Sequence, residues 1–329
     1  MNFRFGRRGV AVAAGAVVAA AVASSAIAGS AAGPNYNLKS LKGSITADGS
    51  STVGPYTTAA AELFRRAGAS AVQVTVGISG TGGGFQRFCK GEIDLADASR
   101  PMRNSEAAAC KTNNVGAWRA FTVANDALTV VVNQQNTWAR CLTVAELKKI
   151  WEPGSKVNNW KDVRNGFPDV PLKLFGAGTD SGTFDYFTEA INGRARASRT
   201  DYQASEDDNV TVQGVSGERG GMGYFGYSYF VENQNRLNAI QITNPKTGQC
   251  VTPSVASVQG NAYKPLGRPL FIYAKGSSFK RKEVQAFLDY IFDNEVAIAK
   301  RSDFISLTRV QLKRARTNFI LAVKAANRT

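Results

Sequence analysis

Histidine is absent from all 329 residues. That rules out Ser-His-Asp and Cys-His catalytic groupings and any histidine-ligated metal centre. Carboxylate chemistry stays open, but no obvious base is at hand to activate a serine. Cysteine is scarce too: Cys89, Cys110, Cys141 and Cys250 are the only four. None is spaced C-x-x-C, which argues against a metal site. An even count in an exported chain suggests two disulfides, with three pairings open. Cys89–Cys110 would close a local loop. Cys141–Cys250 would then tie the start of the middle segment to its end.

The nucleotide signature G-x-x-x-x-G-K-[ST] is also missing, since Gly80-Thr-Gly-Gly-Gly84 carries no P-loop lysine. Acid is in short supply: 25 Asp and Glu stand against 40 Lys and Arg, a formal charge of +15. Such a balance favours anionic ligands or acidic surroundings. The basic residues are scattered and no nucleic-acid motif accompanies them, so nucleic acid is not the expected partner. No metal or cofactor is expected.

Long apolar runs are lacking except at the N-terminus. There Arg4, Arg7 and Arg8 precede an uncharged, Ala-rich stretch over 9–23, and Ser25-Ala-Ile-Ala28 offers an A-x-A cleavage site. Residues 1–28 therefore read as a secretory signal peptide. The run is short for a span of about 20 apolar residues. No cysteine lies near the cleavage site, which argues against a lipid anchor. The expected location is periplasmic or otherwise extracytoplasmic, with 29–43 a flexible lead-in.

Beyond residue 43, short apolar strands alternate with helical patterns. Strands are expected near 72–78, 120–132, 172–175, 223–229 and 269–274. Helices are expected over 57–67, 144–151, 184–191, 282–300 and 310–326. This alternation implies α/β domains with mostly parallel sheets.

Three segments share one grammar: a strand, a turn rich in Gly, Ser and Thr, then a helix. They are Ala47-Asp-Gly-Ser-Ser-Thr-Val53, Ser79-Gly-Thr-Gly-Gly-Gly84 and Gly178-Thr-Asp-Ser-Gly-Thr183. The first N–H groups of a helix have no partner within it, and the macrodipole adds positive potential there. Glycine lets backbone approach an anion, and hydroxyls add neutral donors. One such turn is ordinary capping. Three in one chain, poor in lysine, point to a small anion. Ser99 and Arg100, in Ala98-Ser-Arg-Pro101, follow an apolar stretch at a strand end, where open α/β sheets bind ligands. Arg100 could make a bidentate pair with an oxyanion.

These four motifs resemble those of the phosphate-binding proteins of bacterial high-affinity phosphate ABC transporters, over about 43–274. The resemblance implies an α/β, two-lobe periplasmic-binding-protein fold (type II), with the ligand between the lobes. Lobe one would hold 44–126 plus 253–329 and lobe two 127–252, each with its own sheet. Crossovers would fall near 124–128 and 251–254. One disulfide per lobe follows, Cys89–Cys110 and Cys141–Cys250.

The implied phosphate ligands are Ser51, Thr52, Thr81, Gly82 and Ser99 from lobe one, and Ser181, Gly182 and Thr183 from lobe two. Arg100 would supply the positive charge, and Ser79 is a further candidate. Two departures stand out. Part of the family has Asp where this chain has Ser99, and Arg where it has Ala177. The carboxylate that accepts the phosphate proton is thus open among Asp48, Asp180, Asp207 and Asp208, with Asp180 or Asp208 preferred. The implied role is a monomeric, non-enzymatic solute-binding protein that captures inorganic phosphate and delivers it to an ABC permease. Competing readings are another oxyanion (sulfate, molybdate), a phosphatase with Ser51 or Ser181 as nucleophile, or a surface adhesin.

Overall fold

The computed structural model describes residues 36–115, 117–179, 181–205 and 207–328. The stretch read as a signal peptide, most of the lead-in and Asp180 lie outside them. The described part of the lead-in is not a loose tether. Tyr36 and Leu38 pack against the first core, and the Tyr36 hydroxyl donates to Gln285 Oε1 at 3.0 Å.

The first part of the chain runs β1 (Gly43–Gly49), α1 (Gly54–Arg66), β2 (Val72–Gly77), α2 (Gly80–Cys89), β3 (Leu95–Ala98), α3 (Asn104–Thr112) and β4 (Trp118–Asn133). The middle runs β5 (Cys141–Leu142), α4 (Val144–Trp151), β6 (Lys173–Ala177), α5 (Gly182–Asn192), β7 (Gln203–Ser205), α6 (Asp208–Gly217), β8 (Gly221–Gly226), α7 (Tyr227–Glu232), β9 (Leu237–Ala239), β10 (Gln241–Thr243), β11 (Cys250–Val251) and α8 (Val255–Gln259). The last part is β12 (Gly267–Lys275), α9 (Lys282–Asp293), α10 (Glu295–Arg301) and α11 (Arg309–Ala326).

Among the described residues the main strands lie in the order β2-β1-β3-β12-β4-β8-β6-β7, with β9 also on β4. The path is continuous, where two separate sheets were expected. The reason is β4. From Trp118 to Ala127 it pairs with β12, and from Leu128 onward it pairs with β8 and β9. One long strand, buried over most of its length, thus serves two halves.

The halves keep separate cores. On one face of the first, β-strand residues such as Ile45, Leu95 and Ile272 pack with Phe64 of α1, Phe287 of α9 and Phe319 of α11. On its other face, Phe85 and Phe88 of α2 pack with Tyr273. In the second half, Trp151 of α4, Phe187 of α5 and Tyr224 of β8 build one core, and Phe175, Val212 and Phe225 the other. The sheet is mixed, not mostly parallel as expected: β1 runs parallel to β2 and β3, and β6 to β7 and β8, but β4 and β12 run antiparallel to their neighbours because they carry the chain between the halves. Helices still cover both faces, giving three layers.

Val258, Tyr263 and Leu266 belong to the second core, so the chain is still packed there beyond Val251. It rejoins the first half at Gly267, which pairs with Ala127. The bridges Cys89–Cys110 and Cys141–Cys250 are both formed, one in each half, as expected. Among the described residues no helix is long and apolar enough to cross a membrane.

Candidate anion site

The three turns end where helices begin. Ser50 caps the first: its Oγ accepts from the N–H groups of Thr52 (3.2 Å) and Val53 (3.4 Å). Ser51 and Thr52 are thereby pushed forward of α1. Gly80, Thr81 and Gly82 form the first turn of α2, whose leading N–H groups have no intrahelical acceptor. Ser181 caps α5 by accepting from Thr183 N–H at 3.1 Å, which leaves Gly182 at the first helical position.

The first and third turns touch. Thr52 Oγ1 donates to Gly182 O at 3.2 Å, and Ser51 Oγ lies 3.4 Å from Asp185 Oδ2. A Cβ on Gly182 would stand 2.7 Å from Thr52 N and 2.8 Å from Ser51 C, so only glycine permits this approach. The second turn joins through Thr81, whose Oγ1 is 3.0 Å from Ser99 Oγ and accepts from Ser99 N–H at 3.2 Å.

Ser51, Thr52, Thr81, Gly82, Ser99 and Arg100 share the wall of one cavity of about 320 Å³. Ser181, Gly182 and Thr183 face a neighbouring cavity of about 210 Å³, together with Asp208. Ser51, Thr52 and Tyr186 border both, so the Thr52–Gly182 contact is the partition. The remaining expected residues lie elsewhere. Asp48 is buried and accepts from Gly49 N–H (2.7 Å), Ser79 N–H (3.0 Å) and the Arg87 guanidinium. Burial pushes its carboxyl up, and these donors outweigh that, holding it below the usual carboxylate range. Asp48 and Ser79 therefore brace the turns from behind. Asp207 is exposed and caps α6 by accepting from Asn209 N–H at 2.9 Å.

The charges of the larger cavity are Arg100, Arg103, Arg194 and Arg268 against Asp185 and Glu189. Arg100 is committed. Its Nη1 and Nη2 donate to Glu106 Oε2 and Oε1 at 2.9 and 2.8 Å. Burial pushes the Glu106 carboxyl up, but the Arg100 pair and the Arg103 N–H hold it low. Burial raises the Asp185 carboxyl, with Arg196 opposing.

Arg268 and Asp185 were not among the residues expected from sequence. Asp185 had a usable signal, two residues beyond the Ser-Gly-Thr cap on the same helix. Arg268 had none, standing between Gly267 and Pro269 at the start of a strand with no binding motif beside it. Its guanidinium stacks 3.2 Å from the Tyr186 ring centroid, and its Nη2 donates to Thr52 Oγ1 at 3.1 Å. A concave site with helix N-termini, hydroxyls and excess cation is suited to hold a small oxyanion by many short contacts.

The comparisons with known proteins agree with this architecture. A PBP superfamily domain matches residues 21–295. The SphX protein of Synechococcus elongatus is 45% identical over 276 residues, covering 83% of this chain and 80% of that protein. The phosphate-binding protein PstS of Staphylococcus epidermidis is 32% identical over 271 residues, covering 82% and 80%. A crystal structure of a possible phosphate binding protein from Planctomyces limnophilus superposes with a TM-score of 0.83 at 46% identity, covering 86% of this chain and all 100% of that one. By sequence and by fold, this chain belongs to the PBP superfamily, in the family of the SphX and PstS proteins.

Proposed function

We propose that the chain captures inorganic phosphate outside the cytoplasm and delivers it to the permease of an ABC transporter, binding without turnover. The observation that carries this reading is that two neutral, donor-rich turns line one cation-rich cavity and the third abuts it through the Thr52–Gly182 contact. The names of the PstS relative at 32% identity and of the solved structure at 46% support phosphate as the anion. The signal-peptide reading supports export.

In this reading lobe one is 44–126 with 267–329 and lobe two is 127–266, the return crossing lying at Gly267 and Arg268. Ser51, Thr52, Thr81, Gly82 and Ser99 contact the anion, and Ser181, Gly182 and Thr183 close from lobe two. Asp185 takes the role of proton acceptor. Phosphate keeps a proton at neutral pH that sulfate lacks. A partly buried carboxylate accepts that hydrogen bond and repels sulfate, which is worth on the order of a few kcal/mol.

Isothermal titration tests the reading. The mature protein should bind one phosphate per chain and prefer it over sulfate and molybdate. Asp185→Asn should narrow the phosphate-to-sulfate ratio at least about tenfold. Equal or tighter binding of sulfate or molybdate would reassign the ligand. Sustained hydrolysis of a phosphate ester would overturn the binding role.

A further inference from the structure

We infer that Arg268, rather than Arg100, carries the positive charge that faces the bound anion and couples its capture to lobe closure. The inference rests on the phosphate reading above.

The two arginines border the same cavity but differ in what their donors already do. A guanidinium offers five N–H donors. Arg100 spends its outer edge on the Glu106 carboxylate, bidentately, and Nη1 also donates to Pro101 O at 3.2 Å. Turning it toward an anion would strip Glu106, itself half-buried, of its counter-ion. The pair is close to neutral as it stands.

Arg268 is the opposite case. Its side chain is only 11% exposed, yet its single hydrogen bond among the described residues is Nη2 to Thr52 Oγ1. Nε makes no hydrogen bond and holds only a long ion pair, 3.5 Å to Oδ2 of the equally buried Asp126, whereas Arg100 meets its carboxylate with two short hydrogen bonds. A buried cation with donors to spare, lining a cavity, is an unfinished interaction.

Its position explains the coupling. Arg268 stands on β12 opposite Asp126, one residue from the Gly267–Ala127 pair where the chain crosses between cores. Its head touches Thr52 ahead of α1 and the Tyr186 ring on α5. Thr52 passes the contact on to Gly182 O. The guanidinium therefore sits at this place only when the two lobes meet, and an anion that binds it selects that arrangement.

The test is calorimetric titration of phosphate into the parent, Arg268→Gln, Arg268→Lys and Arg100→Gln across the second ionisation of phosphate. Arg268→Gln should weaken binding at least about tenfold and Arg100→Gln by less than about threefold. Parent affinity should rise as phosphate becomes a dianion, and this rise should flatten in Arg268→Gln alone. A merely structural loss would shift affinity without flattening it. Melting without phosphate reports the fold. If Arg268→Gln does not fold, Arg268→Lys carries the test: the charge is kept but the planar fork is lost, so binding should weaken and the pH response persist. If Arg268→Gln binds like the parent while Arg100→Gln does not, the inference is overturned and the phosphate reading stands. A parent that fails to bind phosphate removes both.

Discussion

Asp97 lies on β3 with no solvent exposure at all. Thr57 Oγ1 donates to its Oδ1 at 2.9 Å, while Oδ2 has no hydrogen bond among the described residues. Burial pushes this carboxyl up to about 7; the Thr57 hydroxyl opposes the rise and the Asp48 charge adds to it. Glu295, buried at the first position of α10, is likewise raised to about 7 by burial, with the Leu307 N–H opposing. A raised carboxyl holds its proton more tightly in the folded chain than in the unfolded one. Stability should then fall as pH rises from the unfolded value of about 4 to about 7. Asp48, held low, acts in the other sense: its contribution is lost as pH falls below about 4. Asp97→Asn should reduce the slope of unfolding free energy between about pH 4 and 7, read by urea denaturation. An unchanged slope would mean that Asp97 is solvated.

At the scale of elements, the site depends on α1, α2 and α5 pointing their N-termini at one place. Gly182→Ala tests that directly. The added Cβ would meet backbone of Ser51 and Thr52, atoms of the other lobe, not flexible side chains. Overpacking of this kind costs about 1–3 kcal/mol. We expect phosphate binding to weaken between about fivefold and a hundredfold, with an unchanged melting point in the absence of ligand, measured by calorimetry on one sample. A lowered melting point with intact affinity would contradict this account.

Much at this scale was legible in the sequence. Gly, Ser and Thr before a helical pattern mark capped starts, and the motifs around Ser51, Thr81 and Ser181 all lie at helix N-termini. The apolar run over 282–300 reads as one helix, yet the chain breaks at Asn294, whose amide Nδ2 donates back to Tyr290 O. Apolar periodicity continues through such a break, so it carries no warning. Residues 227–229 read as strand because aromatics favour sheets, but they turn into α7 after Gly226. Arg268 was hidden for another reason. Its role arises from three partners, Thr52, Asp126 and Tyr186, each distant in sequence. No local pattern encodes that meeting.

Taken whole, the described chain is two halves sharing a strand, and each half has its own covalent tie. Cys141–Cys250 spans 109 residues and encloses most of the second core, whereas Cys89–Cys110 spans 21. Under the chain-entropy model the longer loop stabilises by about 4–5 kcal/mol and the shorter by about 3. Replacing Cys141 and Cys250 by Ser should lower unfolding free energy more than replacing Cys89 and Cys110. Denaturant titration of the two double variants decides this, and the reverse order would show that unfolded-state structure dominates.

The position of β12 has a consequence for how such a chain comes into being. This strand lies between β3 and β4, within the first half of the continuous sheet, yet it begins only at Gly267. A polypeptide emerging from its N-terminus delivers β1, β2, β3 and β4 first, with the slot between the last two empty. Everything from 134 to 266 must pass before that slot can be filled. The second lobe can therefore be finished first, although its residues come later than those that open the first. A chain halted before Gly267 cannot close its leading half, which waits for the final fifth of the sequence.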